Sequence, residues 1–208
     1  MKHVTVITHP LVQHNLARLR DRATESQRFR RLLGEIAALM TYEATRSFSV
    51  KKISVRTPLE IAAGFKLERE VALVPVLRAG LGMLNPILEL IPHARVGFIG
   101  LTREESTLRA HFYHQSLPKN LGRFEVILID PMLATGGSAV AALELLVAQG
   151  AKRIRLVSLV AAPEGIRKVR KQFPTLPIFT AAVDQKLNEK GYILPGLGDA
   201  GDRLFGTE

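Results

Sequence analysis

Five short runs of branched apolar residues constrain the fold of this chain more than any other feature of its sequence. The runs are VALVPVL at 71–77, ARVGFIGL at 94–101, EVILID at 125–130, RIRLVSLVA at 153–161 and PIFTAAV at 177–183. Helical LNPILELI follows the first run, and amphipathic helical patterns at 139–149 and 163–172 separate the later ones. Continuous apolar strands that alternate with helices are typical of parallel strands covered on both faces. The sequence therefore predicts an α/β fold with a doubly wound, mainly parallel sheet.

Three further segments complete the predicted architecture. Apolar spacing predicts helices near residues 18–45 and 58–65. Residues 102–123 are the least core-like, because charged and turn-forming residues flank the strand-like HFYHQ. We expect this segment to be a flexible hairpin that leaves the sheet and covers a site. With 208 residues and no linker or repeat, the chain is expected to form a single domain.

The charge balance predicts an anionic partner. The net charge is +10, and the basic cluster at residues 18–31 contributes much of it. Such a charge suits a nucleic acid or a phosphorylated small molecule, but the cluster itself is interpreted as the solvated face of one or two helices. The chain has no cysteine, no apolar run near the roughly 18 residues of a membrane span, and no secretory signal pattern. These features predict a cytoplasmic protein without thiolate metal sites.

The run at 125–130 ends in an aspartate and continues into a loop of small residues. Thr135, Gly136, Gly137 and Ser138 form the turn into the next helical pattern. Ligands of open α/β sheets bind beyond the carboxyl ends of the strands, and glycines at a helix start let backbone N–H groups approach an anion. A phosphate fits this turn. The carboxylate of Asp130 would repel phosphate, so it suits hydroxyl donors such as those of a ribose.

Two common phosphate-binding motifs do not explain the glycines. A Walker loop requires Lys and then Ser or Thr after its second glycine, whereas Gly137 is followed by Ser138 and Ala139. GLGDAG at 196–201 has the spacing of a dinucleotide-binding motif. It follows no buried strand, and the seven residues after it are too few for a βαβ unit. Both motifs are therefore excluded.

The order of strand, aspartate, small hydroxyl-rich loop and helix resembles the ribose-phosphate loop of type I phosphoribosyltransferases. VLRAGLGM at 76–83, DPMLATGGS at 130–138 and YILPGLGDAGDRLFGT at 192–207 extend this resemblance over nearly the whole chain. Together they are similar to the uracil phosphoribosyltransferase family. Most of the superfamily has two adjacent acids in the loop, but here Pro131 follows Asp130, and this departure favours the uracil branch.

The resemblance implies an enzyme of pentosyl transfer. Its substrates would be uracil and 5-phospho-α-D-ribose 1-diphosphate (PRPP), and its products UMP and diphosphate, in pyrimidine salvage. Mg²⁺ is the implied cofactor, chelated by the diphosphate with few or no direct protein ligands. A homodimer or homotetramer is also implied and, as in some members, activation by GTP. Neither a membrane nor a nucleic acid is implied as a partner.

The resemblance also assigns the residues of the site. Arg78, together with Arg103 from the predicted hairpin, would neutralise the diphosphate, and Asp199 would stabilise the cationic ribose or the water shell of the metal. With Asp130, these three are the implied catalytic residues. Residues 184–208 would form a hood over the base. The PRPP loop comprises Asp130, Pro131, Met132, Leu133, Ala134, Thr135, Gly136, Gly137 and Ser138, and the uracil contacts comprise Tyr192, Ile193, Gly198, Asp199 and Ala200.

Alternatives remain open from the sequence. The basic cluster would also suit an RNA-binding regulator on the same fold, although such a regulator has no need of a glycine-rich base pocket. A phosphoribosyltransferase for a purine or for orotate would change the base and keep the chemistry. Arg103 also suits an exposed charged turn, and Asp199 and Asp202 also suit turns among glycines.

Overall fold

The computed structural model describes residues 3–103 and 110–207. Its helices are α1 (Pro10–Arg20), α2 (Ser26–Thr45), α3 (Leu81–Leu90), α4 (Gly137–Ala148), α5 (Pro163–Gln172) and α6 (Ala200–Phe205), and a 3₁₀ turn spans Leu121–Arg123. Its strands are β1 (Val4–Val6), β2 (Val50–Arg56), β3 (Ile61–Leu67), β4 (Val71–Leu77), β5 (Arg95–Val96), β6 (Phe98–Arg103), β7 (Ala110–Ser116), β8 (Glu125–Ile129), β9 (Met132–Leu133), β10 (Ile154–Ala161), β11 (Ile178–Val183), β12 (Lys186–Leu187) and β13 (Ile193–Leu194).

A nine-stranded sheet forms the centre of the molecule. Its main path is β1–β11–β10–β8–β4–β6–β7, with β5 beside β4 and β9 beside β10. The pairs are parallel, except that β6 and β7 are antiparallel. The five apolar runs all contribute strands to this sheet, which confirms the predicted fold class. The carboxyl ends of β4, β8, β10 and β11 consequently meet along one edge.

Helices cover both faces of the sheet. Alternate residues of β4 show the division, since Leu73 packs with α1, α2 and α3, whereas Val74 packs with α4 and α5. Every residue from Val71 to Val76 is buried, so this strand has no polar face. Continuous burial explains why its sequence is apolar throughout and not alternating.

The predicted helix at residues 58–65 is wrong, because this segment belongs to an antiparallel hairpin of β2 and β3. Thr57 closes the turn, where its hydroxyl donates to the carbonyl of Glu60 at 2.8 Å and accepts the N–H of the same residue at 3.0 Å. Apolar side chains recur at every second position of β3, at Ile61, Ala63, Phe65 and Leu67. Period two belongs to a strand, and the short window of eight residues concealed it.

β6 and β7 form a hairpin at the edge of the central sheet, so the part of segment 102–123 that forms β7 stays within the sheet. β6 and β7 pair from Phe98 opposite Ser116 to Arg103 opposite Ala110, with a register shift after Gly100. The prediction that the hairpin is flexible is not tested. Its tip, residues 104–109, lies outside the described residues.

Residues 184–207, which we call the tail, follow β11 and form a small unit beside the carboxyl edge. β12 and β13 pair antiparallel, and α6 follows them. Within the described ranges 3–103 and 110–207, none of the helices is both long and apolar enough to span a bilayer.

Candidate active site

The turn after β4 lies against the turn after β8, because these strands pair in parallel with Pro75 beside Ile129. Arg78 follows β4 through a cis peptide bond. Gly80 leaves no room for a side chain, since its Cβ position is 2.8 Å from the carbonyl oxygen of Ile129. This close approach brings the RAGLGM turn beside Asp130.

Asp130 is partly buried at the end of β8. Its backbone N–H donates to the carbonyl of Val157 at 3.1 Å. Burial raises the pKa of Asp130 to about 7, and a hydrogen bond from the backbone N–H of Met132 opposes this shift more weakly. The carboxyl is therefore near its titration midpoint at neutral pH, and hydroxyl donors from a ligand would favour its ionised form.

The loop from Asp130 to α4 is shaped by backbone packing. Gly136 has a φ of 77°, and a Cβ there would meet the carbonyl oxygen of Gly165 at 2.8 Å. Gly165 is equally restricted, because its own Cβ position lies 2.7 Å from the carbonyl oxygen of Leu133. The N–H of Gly137 donates to the hydroxyl of Thr135 at 3.4 Å. The same continuous turn contains Pro131, Met132, Ala134 and Ser138.

The first turn of α4 is suited to an anion. The N–H groups that begin a helix have no partner within it, and the helix dipole favours negative charge there. Lys168 of α5 adds a positive charge that was absent from the sequence prediction. Its Nζ lies 3.6 Å from the Cβ position of Gly137. The loop thus combines exposed backbone donors, hydroxyls and an ammonium group.

Arg78 links this part of the site to the tail. Its Nη2 lies 3.3 Å from Oδ1 of Asp202, and its guanidinium is 5.7 Å from the centre of the Phe205 ring. Gly82 permits the approach, since a Cβ there would meet Cδ1 of Leu204 at 2.7 Å. The Arg78 side chain is 57% exposed. Such an exposed ion pair is weak, so the guanidinium can exchange this partner for an anionic ligand.

Asp199 caps α6. Its Oδ1 accepts the N–H of Gly201 at 2.7 Å and that of Asp202 at 3.0 Å. The structure thus gives Asp199 a structural task at the position where the resemblance implies a catalytic one. Asp202 contacts Arg78 and accepts the hydroxyl of Thr207 at 2.5 Å.

The other residues assigned to uracil lie near one another in the tail. Ile193 is buried in β13, and Tyr192 beside it is 45% exposed. Gly198 is exposed with a φ of 82°, and Ala200 is the buried first residue of α6. The N–H of Tyr192 donates to the side chain of Asn188 at 2.9 Å, which closes the turn before β13.

Arg103 is the last residue of β6, and the prediction for its side chain lies outside what the structure describes. No group of three or more His, Cys, Asp or Glu side chains in the described part of the chain could hold a metal ion.

Two further residues of this edge, Arg20 and Asp184, were missed in the sequence. Asp184 follows β11 as Asp130 follows β8, so the pattern of an apolar run ending in an acid was visible in PIFTAAVD. Arg20 gave no distinguishing signal among the neighbouring arginines, and its interpretation as part of a solvated face is wrong. Its side chain is 21% exposed and is paired with Asp184.

Comparison with known proteins identifies the family. The family model described as uracil phosphoribosyltransferase matches residues 6–207. Uracil phosphoribosyltransferase from Dictyoglomus turgidum is 52% identical over 206 residues, which are 99% of this chain and 100% of the relative. The corresponding protein from Clostridium tetani is 53% identical over 213 residues and is covered completely, as is this chain.

Solved structures agree with this result. The AQ2163 protein from Aquifex aeolicus is 38% identical with a TM-score of 0.94, and the match covers 99% of both chains. A purine phosphoribosyltransferase from Pyrococcus horikoshii is 14% identical with a TM-score of 0.53, over 74% of this chain and 84% of that one. The second likeness concerns the fold alone. From the full-length match of sequence and structure, the chain belongs to the uracil phosphoribosyltransferase family.

Proposed function

We propose that the carboxyl edge of β4 and β8, closed by the tail, is the active site of this chain. The chain is a glycosyltransferase that transfers phosphoribose from PRPP to uracil and gives UMP and diphosphate. The observation that best supports the assignment of the site is the 3.3 Å contact between Arg78 and Asp202, which joins the turn after β4 to the tail. Through it, residues far apart in sequence border one crevice.

In the proposed mechanism the loop at 130–138 holds the phosphoribosyl group. The first N–H groups of α4 and the ammonium group of Lys168 bind the 5′-phosphate. The ionised carboxylate of Asp130 accepts hydrogen bonds from the ribose hydroxyls. C1 of the ribose loses diphosphate and gains a ring nitrogen of uracil through a cationic state, and that nitrogen releases its proton. Positioning and electrostatics therefore supply the catalysis.

We assign the diphosphate to Arg78 and Arg103. Arg78 would leave Asp202 and turn towards the diphosphate, because a multiply charged group competes well with a single carboxylate. When bound, Mg²⁺ would supply positive charge to the diphosphate. The separate, single carboxylates of Asp130 and Asp199 suit a metal that is held mainly by the diphosphate and its water shell.

The tail is the proposed reader of the base. Uracil presents a carbonyl, an N–H and a second carbonyl along one edge, and a backbone with complementary groups matches that edge without side chains. Gly198 and Ala200 would supply such groups together with Ile193, and Tyr192 would form part of the wall. The positive φ of Gly198 supports this role, because it turns the backbone in a way that few other residues allow.

A nucleobase panel tests the proposed function. Purified protein is incubated with PRPP, Mg²⁺ and one base at a time, and the release of diphosphate is measured with and without GTP. We expect release with uracil and not with hypoxanthine or orotate. Greater release with either of those bases would overturn the assignment of the tail, and the GTP arm tests the activation predicted from the family.

The RNA-binding alternative loses part of its support. Arg20 and Arg30, two arginines of the cluster at 18–31, donate to the tail instead of facing solvent freely. Filter binding with structured RNA at physiological salt measures the affinity of the chain for RNA. We expect only weak binding whose salt dependence is that of unspecific charge attraction.

We also propose that two copies of the chain associate through the β2–β3 hairpin. One face of this hairpin carries Val50, Ile61, Phe65 and Leu67, which are 55%, 72%, 64% and 42% exposed, and Lys52 and Arg56 lie on the same face. A mainly apolar cleft of about 640 Å³ adjoins it and shares Val50 and Leu67 with it. Exposed apolar side chains continuous with such a cleft favour cover by a second copy presenting the same surface.

Sedimentation of the parent and of two variants tests the association. Phe65→Lys replaces an exposed apolar side chain of this face by a charge and is expected to shift the protein towards the monomer. Val55→Lys is the matched control, because Val55 is also exposed but points to the opposite face. A parent that sediments as a monomer contradicts the proposal.

A further inference from the structure

Arg20 and Asp184 form a two-point ion pair beside the first glycine of the tail motif. Nη1 of Arg20 lies 2.7 Å from Oδ2 of Asp184, and Nη2 lies 2.7 Å from Oδ1. Arg20 is the last residue of α1, and Asp184 directly follows β11. Their side chains are 21% and 6% exposed. A paired arginine and carboxylate in this geometry fix one another in direction as well as distance.

This pair also holds both backbone groups of Gly196. The carbonyl of Gly196 accepts Nη1 of Arg20 at 2.9 Å, and its N–H donates to Oδ2 of Asp184 at 2.8 Å. Gly196 has a φ of 60°, and any side chain there would collide with the carbonyl of Ile193. The backbone between Ile193 and Gly198, both assigned to uracil, is therefore anchored near its middle.

Arg203 of the tail and Arg30 of α2 add contacts at neighbouring points. Arg203 donates to the carbonyl of Leu197 at 2.9 Å and to that of Asp21 at 2.6 Å. Arg30 donates to the carbonyl of Leu204 at 2.7 Å. Hydrogen bonds to backbone carbonyls thus join the corner between α1 and α2 to the tail.

We propose that Arg20 and Asp184 are positioning residues for base recognition. They do not contact the reacting atoms, but they fix the position of the backbone that is assigned to uracil. The inference rests on the proposed binding of uracil by the tail. A backbone edge distinguishes bases only while its donors and acceptors stay at hydrogen-bond distance, so loosening this anchor should impair the use of uracil and spare the use of PRPP.

Steady-state kinetics of conservative variants test the proposal. Arg20→Lys keeps the charge but not the two-point geometry, and Asp184→Asn keeps one oxygen to accept the N–H of Gly196. Arg18→Ala is the matched control, because Arg18 lies exposed on the same helix. Each full-length variant is assayed with uracil varied at saturating PRPP, with PRPP varied at saturating uracil, and by thermal unfolding.

We expect both conservative variants to raise the KM for uracil about tenfold, as small misplacements of binding groups do. The KM for PRPP should change less than about twofold, because PRPP is assigned to a different segment, the loop at 130–138. The preference for uracil over cytosine should fall as well. Arg18→Ala should match the parent. If Arg20→Lys does not fold, Asp184→Asn carries the test.

Gly198→Ala distinguishes a failure of this inference from a failure of the proposed function. If it raises the KM for uracil while the anchor variants leave that KM unchanged, the tail binds uracil and the positioning role is overturned. If neither kind of variant changes the KM for uracil, the assignment of uracil binding to the tail is wrong. The inference, which rests on that assignment, is then overturned too. Equal rises in both KM values, or a lower thermal midpoint alone, would show a merely structural pair and overturn the inference too.

Discussion

The loop at 130–138 and the tail at 184–207 together form the proposed site, but they are held in different ways. The loop is one continuous segment between a strand and a helix, and its bends are set by close backbone contacts such as Gly136 against Gly165. The tail is fixed by side chains from the other end of the chain. Arg20 reaches Gly196 across 176 positions, and Arg30 reaches Leu204 across 174.

This difference matches the proposed division of labour. The loop would bind the phosphoribosyl group, and the tail would bind the base. Because the two regions are anchored independently, a change in one should alter the use of one substrate and leave the other nearly unchanged. The predictions below test this separation, beginning with the largest expected effect.

The choice of base tests the tail. We predict that uracil is preferred over cytosine by about 10⁴-fold or more in kcat/KM, because cytosine would leave buried polar groups unpaired. 5-Fluorouracil should be accepted, since its hydrogen-bonding edge is that of uracil. Competition assays with PRPP at saturation give the ratio. Efficient use of cytosine would falsify the assignment of base recognition to the tail.

Asp130→Asn tests the loop. We predict a fall in kcat/KM for PRPP of about 100-fold, because hydrogen bonds to a charged group contribute about 1.5–3 kcal/mol each. The affinity for uracil should change little. Glu144→Gln is the control, because Glu144 is exposed on α4, the helix that follows the loop. Unchanged binding of PRPP would make Asp130 a structural residue.

Asp130→Asn also tests how pH affects the stability of the protein. The folded pKa of Asp130 is raised to about 7, so the protonated form is favoured in the folded state. The contribution of Asp130 to the free energy of unfolding is most favourable at low pH and is lost as the pH rises towards 7. The loss amounts to about 1.4 kcal/mol per pKa unit. Asp130→Asn should therefore unfold at a higher temperature than the parent at pH 8, and the difference should shrink towards pH 5. A difference that does not vary with pH contradicts the raised pKa.

Lys168→Met tests whether the ammonium group beside α4 serves the phosphate. We predict a five- to tenfold rise, roughly, in the KM for PRPP, as expected for one partly screened charge. The KM for uracil should stay the same. Lys171→Met is the matched control, because both lysines are exposed on the same helix but Lys171 lies in its last turn. Equal effects of both substitutions would show that Lys168 acts only through the overall positive charge.

Arg103→Ala has the smallest predicted effect. Its loss should raise the KM for PRPP by about two- to fivefold, because a single ion pair typically contributes only modestly. Uracil binding should be almost unaffected. Arg123→Ala, at the other end of the segment at 102–123, serves as the control. An unchanged KM for PRPP would favour the alternative that Arg103 belongs to an exposed charged turn.

Much of the scaffold could be predicted from the sequence because its signals are local. The run VALVPVL coincides with β4, and the helical pattern at 163–172 coincides with α5. The hairpin of β2 and β3 was missed because its side chains are mostly exposed. Without a buried face, the alternation of apolar residues was too short and too mixed to exclude a helix.

The sequence by itself determined the parallel sheet, the aspartate at the end of β8 and the glycine turn into α4. Each of these depends on residues that are neighbours in the chain, so burial and backbone freedom are visible in the order of residue types. Only the tertiary structure decided which arginines face solvent and which hold the tail. Arg18 and Arg20 lie two positions apart on α1, yet Arg18 is exposed and Arg20 meets Asp184. Helix rotation and the return of β11 beside α1 produce that difference, and neither is encoded within a local window of sequence.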